Sequence, residues 1–309
     1  MTDDTVVKTD ETEEAGVKPL EKKPSFFEKL KKKFKDFFTY NVPGKRPRIW
    51  ELDLIRGIIM VVVSFDHISR FSYYWGIIKF QTAFGKAIGN VAIAYLNSYF
   101  CNNAYPYALW LLCFMSGIST NFSRSNVSRL LKFWAFCAVF MGGYLALHFI
   151  IPEIITGYLI FNIVAVLTIS VTVWYILDKL KVPDVVRIVI ASVIVVSGVV
   201  LFYVNRFSEN GIVIESKVLS LLVYNRTGYK ISPNNFEPLI PHLGFFIFGA
   251  LFGKYFYKDK TTKLKMKNPP KWLNPVMILG KHSLVAYLFM PVVGISLLWI
   301  IVKIVGLFL

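Results

Sequence analysis

The sequence predicts an all-α protein: a polytopic bundle of about seven transmembrane helices, preceded by an amphipathic helix. Three observations carry that prediction. Of the 309 residues, 55% are hydrophobic, and the mean hydropathy of +0.53 exceeds what a soluble core requires. Several apolar runs reach the ~20 residues that a bilayer-crossing helix needs. The lysines and arginines, which give a formal charge of +16, gather between those runs, as in cytoplasmic loops beside anionic lipid. This distribution argues against nucleic acid as the partner and for the bilayer. Cys101, Cys113 and Cys137 fall in or beside apolar runs without metal-type spacing, so they are expected to be reduced packing residues.

Residues 1–24 hold Asp3, Asp4, Asp10, Glu11, Glu13 and Glu14, then Lys18, Lys22 and Lys23, with almost nothing apolar; a disordered tail is expected. No removable signal peptide is expected, because no short apolar core with a small-residue cleavage site follows this charged start. From Ser25 the pattern changes. Ser25 and Glu28 have capping-box spacing, and Phe26, Phe27, Leu30, Phe34, Phe37 and Phe38 recur at helical intervals. Lys29, Lys31, Lys32, Lys33 and Lys35 fill the other face, as in a helix lying on a cytoplasmic membrane surface. Residues 25–48 are therefore read as this helix and a linker, ended by Pro43, Gly44 and Pro47, and residues 49–309 as the transmembrane domain.

The first span is expected over Ile49–Ser69, with Tyr73, Tyr74 and Trp75 as an interfacial belt. Residues 77–97 carry Lys79, Gln81, Lys86 and Asn90 and read as an outer surface or re-entrant segment. Further spans are expected over Asn103–Phe122, Leu130–Ile151, Ile154–Leu177, Val185–Tyr203 and Leu239–Tyr257. The last span, Lys281–Leu307, is expected to break or kink at Pro291. Gly249 and Gly253 in the sixth span form a small-xxx-small pair that lets another helix approach. Seven lysines between Lys254 and Lys271 mark a cytoplasmic loop. The long connection between Asn205 and Pro241 is expected outside, and the amino terminus inside the plasma membrane.

The first span carries the candidate chemistry. Asp53, Arg56, Asp66, His67 and Arg70 punctuate an otherwise apolar stretch, and ionisable groups at membrane depth are costly enough to suggest function. At about 100° per residue, Asp53, Arg56, Gly57, Met60, Ser64 and His67 share one stripe, which should face protein. Asp66 points elsewhere and lies four residues before Arg70, a pairing distance on a helix. His67 is the expected general base and Asp66 its orienting or structural partner. His148 and His242 fall at outer helix ends like His67, and with Asn102, Asn103 and Asn162 they suggest a polar chamber opening outward. Arg56, Asp53 and Arg70 are also candidates for substrate binding. No two histidines have the spacing of a zinc motif, so no metal is expected. Lys281 and His282, at the opposite helix end, could receive the phosphates of a nucleotide-like donor. No Walker loop, dinucleotide fingerprint or nucleophile elbow is present.

Leu52–Gly57 (LDLIRG) and Val61–Phe71 (VVVSFDHISRF) resemble the opening of the heparan-α-glucosaminide N-acetyltransferase catalytic-domain family. Phe114–Asn126, Pro238–Tyr257 and Leu279–Val293 fit the same family. The resemblance implies acetyl transfer across the membrane, from cytoplasmic acetyl-CoA to an amino sugar or other carbohydrate on the far side. It implies His67 as the base and Asn162 as a substrate-orienting residue. Animal members carry a histidine about three turns beyond the position of His67, where this chain has Ile77, Ile78 and Lys79; His242 stands where tryptophan is usual. The expected partners are the lipid bilayer and a carbohydrate acceptor, with a homodimer as the assembly to test. A transporter or flippase of a glycan or lipid, using the same polar path, is the competing class, and an inactive scaffold is a third.

Overall fold

The computed structural model describes residues 25–41, 48–74, 82–123, 125–150, 161–208, 211–224, 236–266 and 269–308. The expected tail, the linker prolines, Trp75, the Ile77–Lys79 region and much of the connection between Asn205 and Pro241 lie outside the described residues. The chain divides into two compact units, Met1–Val42 and Pro43–Leu309.

In the first unit, α1 (Phe26–Phe38) has the expected capping box. Glu28 N–H donates to Ser25 Oγ at 3.2 Å, and Ser25 N–H donates to Glu28 Oε2 at 2.8 Å. These bonds satisfy amide donors that a helix start otherwise leaves open. Phe26, Phe27, Leu30, Phe34 and Phe38 are exposed along the helix.

The second unit is built of helices joined by non-helical connections, with no strand among its described residues. Its elements are α2 (Trp50–Tyr74), α3 (Ala83–Leu96), a five-residue π turn (Phe100–Ala104) and α4 (Tyr105–Ile118). Then follow α5 (Asn126–Ile150), α6 (Ile163–Lys179), α7 (Asp184–Phe207), α8 (Lys217–Leu222) and α9 (Leu239–Phe256), and finally α10 (Asn274–Lys281) and α11 (Ser283–Phe308). Four of them, α5, α7, α9 and α11, are long and apolar enough to cross a membrane. Helix α2 is long enough, but its ionisable residues remove it from that set on composition. Of the seven spans expected from sequence, four correspond to helices among the described residues that meet both criteria.

Helix α3 has 14 residues, about 21 Å of helix, too short to cross. Within the expected fourth span, whose residues 154–160 lie outside the described residues, α6 starts at Ile163, where Asn162 caps it. Asn162 Oδ1 accepts the Val164 and Ala165 amides, each at 3.0 Å. The chain is not broken at Pro291, which lies inside α11; the interruption falls at His282, the C-cap of α10. Neighbouring helices can re-satisfy the carbonyl that proline leaves without a donor, so a membrane helix tolerates it.

Two close helix pairs organise the bundle. The expected small-residue contact of α9 is made with α4: a Cβ at Gly249 would collide with the Phe114 carbonyl, and one at Gly117 with the Phe246 carbonyl. Helices α2 and α10 meet in the same reciprocal way, Gly57 against the Val276 carbonyl and Gly280 against the Asp53 carbonyl. The core around them contains Met60, Val63, Cys113, Val166, Phe246 and Ile247.

Candidate functional site

The stripe on α2 faces protein. Asp53, Gly57, Met60 and Ser64 are buried, while Ile55, Ile58, Val61 and Phe65 on the other side are exposed. Asp66, off the stripe, is also buried, because α3 and the π turn cover that side. Its Oδ2 accepts from Arg70 Nε at 2.8 Å, and its Oδ1 accepts from Tyr95 Oη at 3.2 Å and Cys101 Sγ at 3.6 Å. The expected Asp66–Arg70 pair is present, with donors from two further elements. Cys101 is a buried free thiol, as expected, but it is also a member of this polar cluster.

His67 Nδ1 lies 2.9 Å from the Val63 carbonyl. A carbonyl oxygen only accepts, so Nδ1 carries the proton and Nε2 carries the lone pair. The Asp66 carboxylate stands 3.9 Å from the same Nδ1. A carboxylate behind the protonated nitrogen favours that tautomer and stabilises the imidazolium that forms when Nε2 takes a proton. His67 lines a small cavity with Tyr105, Leu109, Ile163, Glu237 and Tyr287. The cavity measures about 10 Å³, room for one water molecule.

Glu237 was not among the residues singled out from sequence. It sits in the non-helical stretch leading into α9, and its amide donates to the Phe161 carbonyl at 3.3 Å. His242, one turn into α9, is fully buried. Its Nδ1 donates to the Pro238 carbonyl at 2.7 Å, and its Nε2 has no hydrogen-bond partner among the described residues and faces Glu237 Oε2 at 3.6 Å. Burial pushes the Glu237 carboxyl up to about 8; the Asp66 carboxylate adds to this and the Arg70 guanidinium opposes it. Asn162 is fully buried; its oxygen is committed to the α6 cap, and its Nδ2 has no partner among the described residues.

The remaining candidates are spread out. Asp53 and Arg56 lie about three to four helical turns away, about 16 to 21 Å along α2 from His67. There Arg48 Nε and Nη2 donate to Asp53 at 2.6 and 2.9 Å, and Arg56 Nη1 donates to it at 3.0 Å. Arg56 Nη2 reaches Ser119 Oγ on the turn after α4 at 2.8 Å. Asn102 and Asn103 donate their side-chain amides to backbone carbonyls of their own segment, at Leu96, Ser98 and Tyr99. His148 sits in the last turn of α5, outside the cavity lining, and Lys281 and His282 form the end of α10. Among the described residues, no group of three or more His, Cys, Asp or Glu side chains is placed to hold a metal.

A larger hollow of about 790 Å³ lies between α4, α7 and α9, lined by Trp110, Phe114, Ile188, Phe245 and Phe252 among others. Its walls carry no acid–base pair, so the smaller cavity is the one with chemistry.

The family model described as heparan-alpha-glucosaminide N-acetyltransferase, catalytic, matches residues 48–292. The chain belongs to this family. The matched region takes in α2, with His67 and Asp66, and reaches Glu237, His242 and Tyr287. No curated protein and no solved structure gave a significant match. The family and the four apolar helices together make this a membrane protein of acetyltransferase character.

Proposed function

We propose that residues 49–309 form a membrane acyltransferase that moves an acetyl group from acetyl-CoA on the cytoplasmic side to a carbohydrate or amino-sugar acceptor on the outer face. The observation that carries this reading is His67: a cavity-lining imidazole whose Nδ1 proton is fixed by a backbone carbonyl, with a buried carboxylate behind it. That arrangement suits a general base acting on the N–H or O–H of an acceptor. Asp66 would hold the imidazole's charge, with Arg70 holding Asp66. Asn162 Nδ2 and the Tyr105 and Tyr287 hydroxyls would supply contacts for the acceptor.

Acetyl-CoA supplies the acyl group as an activated thioester. For its phosphates the chain offers Lys281 and His282, with the exposed Lys254, Lys258, Lys263, Lys265 and Lys271 nearby in sequence; ammonium groups are suited to phosphate. In the conformation described, the cavity at His67 is too small for an acceptor sugar, so binding requires it to widen. The amino terminus would lie in the cytoplasm of a plasma membrane, with α1 on the membrane surface, its phenylalanines in the lipid and its lysines among anionic headgroups. Cysteine labelling tests this orientation: Ser208→Cys should react from outside and Thr261→Cys only from inside.

The deciding experiment is acetyl-CoA hydrolysis or acetyl transfer by the purified protein, beside His67→Ala. Loss of turnover with retained CoA binding supports the enzyme. If CoA does not bind at all, transport of a glycan or lipid through the same region becomes the better reading.

A further inference from the structure

A second proton-holding group faces the same cavity. Glu237 lines it together with His67, and its side chain is 19% exposed. On its far side stands His242, fully buried, with Nδ1 committed as donor to the Pro238 carbonyl. That bond leaves His242 Nε2 presenting a lone pair to Glu237 Oε2, 3.6 Å away. A lone pair facing an ionised carboxylate gains nothing, and a buried polar atom without a partner is costly. A lone pair facing a carboxylic acid accepts a hydrogen bond after a small shortening. The pair is therefore built to hold one proton.

We propose that Glu237 is a second catalytic acid–base group of this cavity, receiving the acceptor's proton from His67, and that His242 is a positioning residue that stabilises Glu237 in its protonated form. This rests on the acyl-transfer reading above. In the transfer step the acceptor nitrogen or oxygen bonds to the acyl carbon, the carbon–sulfur bond breaks, and the acceptor's proton goes to His67 Nε2. The thiolate takes a proton from solvent at its own end. Glu237, once its own proton has left to solvent, then takes the imidazolium's proton, directly or through the one water the cavity has room for. Glu237 donates its O–H to His242 Nε2 until the proton leaves to solvent. The charged and titratable groups that face Glu237 are Asp66 and Arg70 from α2, Tyr105 and Cys113 from α4, and Tyr287 from α11. The Asp66 carboxylate and the site's burial favour the protonated acid, so the pair exchanges its proton near neutrality.

The test is infrared difference spectroscopy of the full chain in nanodiscs, stepped across about pH 8, together with the pH profile of transfer. The wild type should show a carboxylic-acid carbonyl band that disappears as pH rises. Glu237→Gln should lose that band and the matching limb of the profile, with turnover down about tenfold or more; its amide can still donate to His242, which preserves the fold. His242→Phe should keep the band and move its midpoint to lower pH, because the protonated acid has lost its acceptor. A band unchanged in Glu237→Gln, or a midpoint unmoved in His242→Phe, overturns the pair. If the band behaves as expected but the wild type transfers no acyl group, the pair stands and the acyltransferase reading fails; transfer without the band gives the reverse.

Discussion

The two ends of α2 use similar residues to opposite effect. At the amino-terminal end, Asp53 is gripped by Arg48 and Arg56. Beside it Glu51 accepts from Thr262 Oγ1 at 2.8 Å and from the Lys263 amide at 2.9 Å, and Trp50 Nε1 donates to the Met266 carbonyl at 3.0 Å. Asp53 is thereby bound into the helix start, and Glu51 ties that start to the segment after α9. At the carboxy-terminal end Asp66 is just as well held, but it stands beside a cavity, and nearby Asn162 Nδ2 and His242 Nε2 have no hydrogen-bond partner among the described residues; at the first end the one such atom, Arg56 Nε, belongs to a guanidinium whose other nitrogens are bonded. Buried polar atoms that structure alone requires are normally satisfied. The first end is therefore read as an anchor, and the second as the place where a substrate or proton completes the network.

Substitutions should separate the two ends. The largest effect is expected from His67→Ala, a fall of about 10²–10⁴ in transfer rate with little change in thermal midpoint; a loss of folding instead would make His67 an anchor as well. Asp53→Ala should do the reverse, destabilising by about 3–5 kcal/mol because Arg56 stays buried without its carboxylate, while turnover per folded molecule persists. Were Asp53→Ala to fold normally and lose turnover, the anchor would be part of the site. Gly280→Ala pushes a Cβ into the Asp53 carbonyl and should cost about 1–3 kcal/mol, measured by unfolding in detergent.

The smallest effect is a pH dependence at the open end. Glu237 has its carboxyl raised in the folded state, so its protonated form favours folding. Stability should be full below the ordinary glutamate range and decline as pH rises towards about 8. Glu237→Gln should flatten that decline in a melting series, and an identical slope in both proteins would remove Glu237 from the account.

Much of α2 was legible in the chain, because a helix converts spacing into direction without help from the rest of the fold. The stripe from Asp53 to Ser64 follows from the helical period alone, as do the Asp66–Arg70 pair and the capping box at Ser25. Asn162 carried a readable signal that hydropathy masked: an asparagine directly before a sustained apolar run is an N-cap pattern. Asn102 and Asn103 looked like mouth residues, but from the π turn their amides donate to backbone carbonyls of the preceding segment, at Leu96, Ser98 and Tyr99. Glu237 carried only a faint mark, one acid between Phe236 and Pro238 in a long connection, and Tyr105 and Tyr287 had none beyond a hydroxyl in an apolar setting.

The sequence by itself determined the class of the protein, its family and the two-sided character of α2, since composition, motif and helical period are local properties. Only the tertiary structure decided which polar groups meet. His67 and Glu237 stand 170 positions apart and share one cavity because α2, α4, α6, α9 and α11 converge there, and the distance between residues on different helices is set by packing and not by any pattern along the chain.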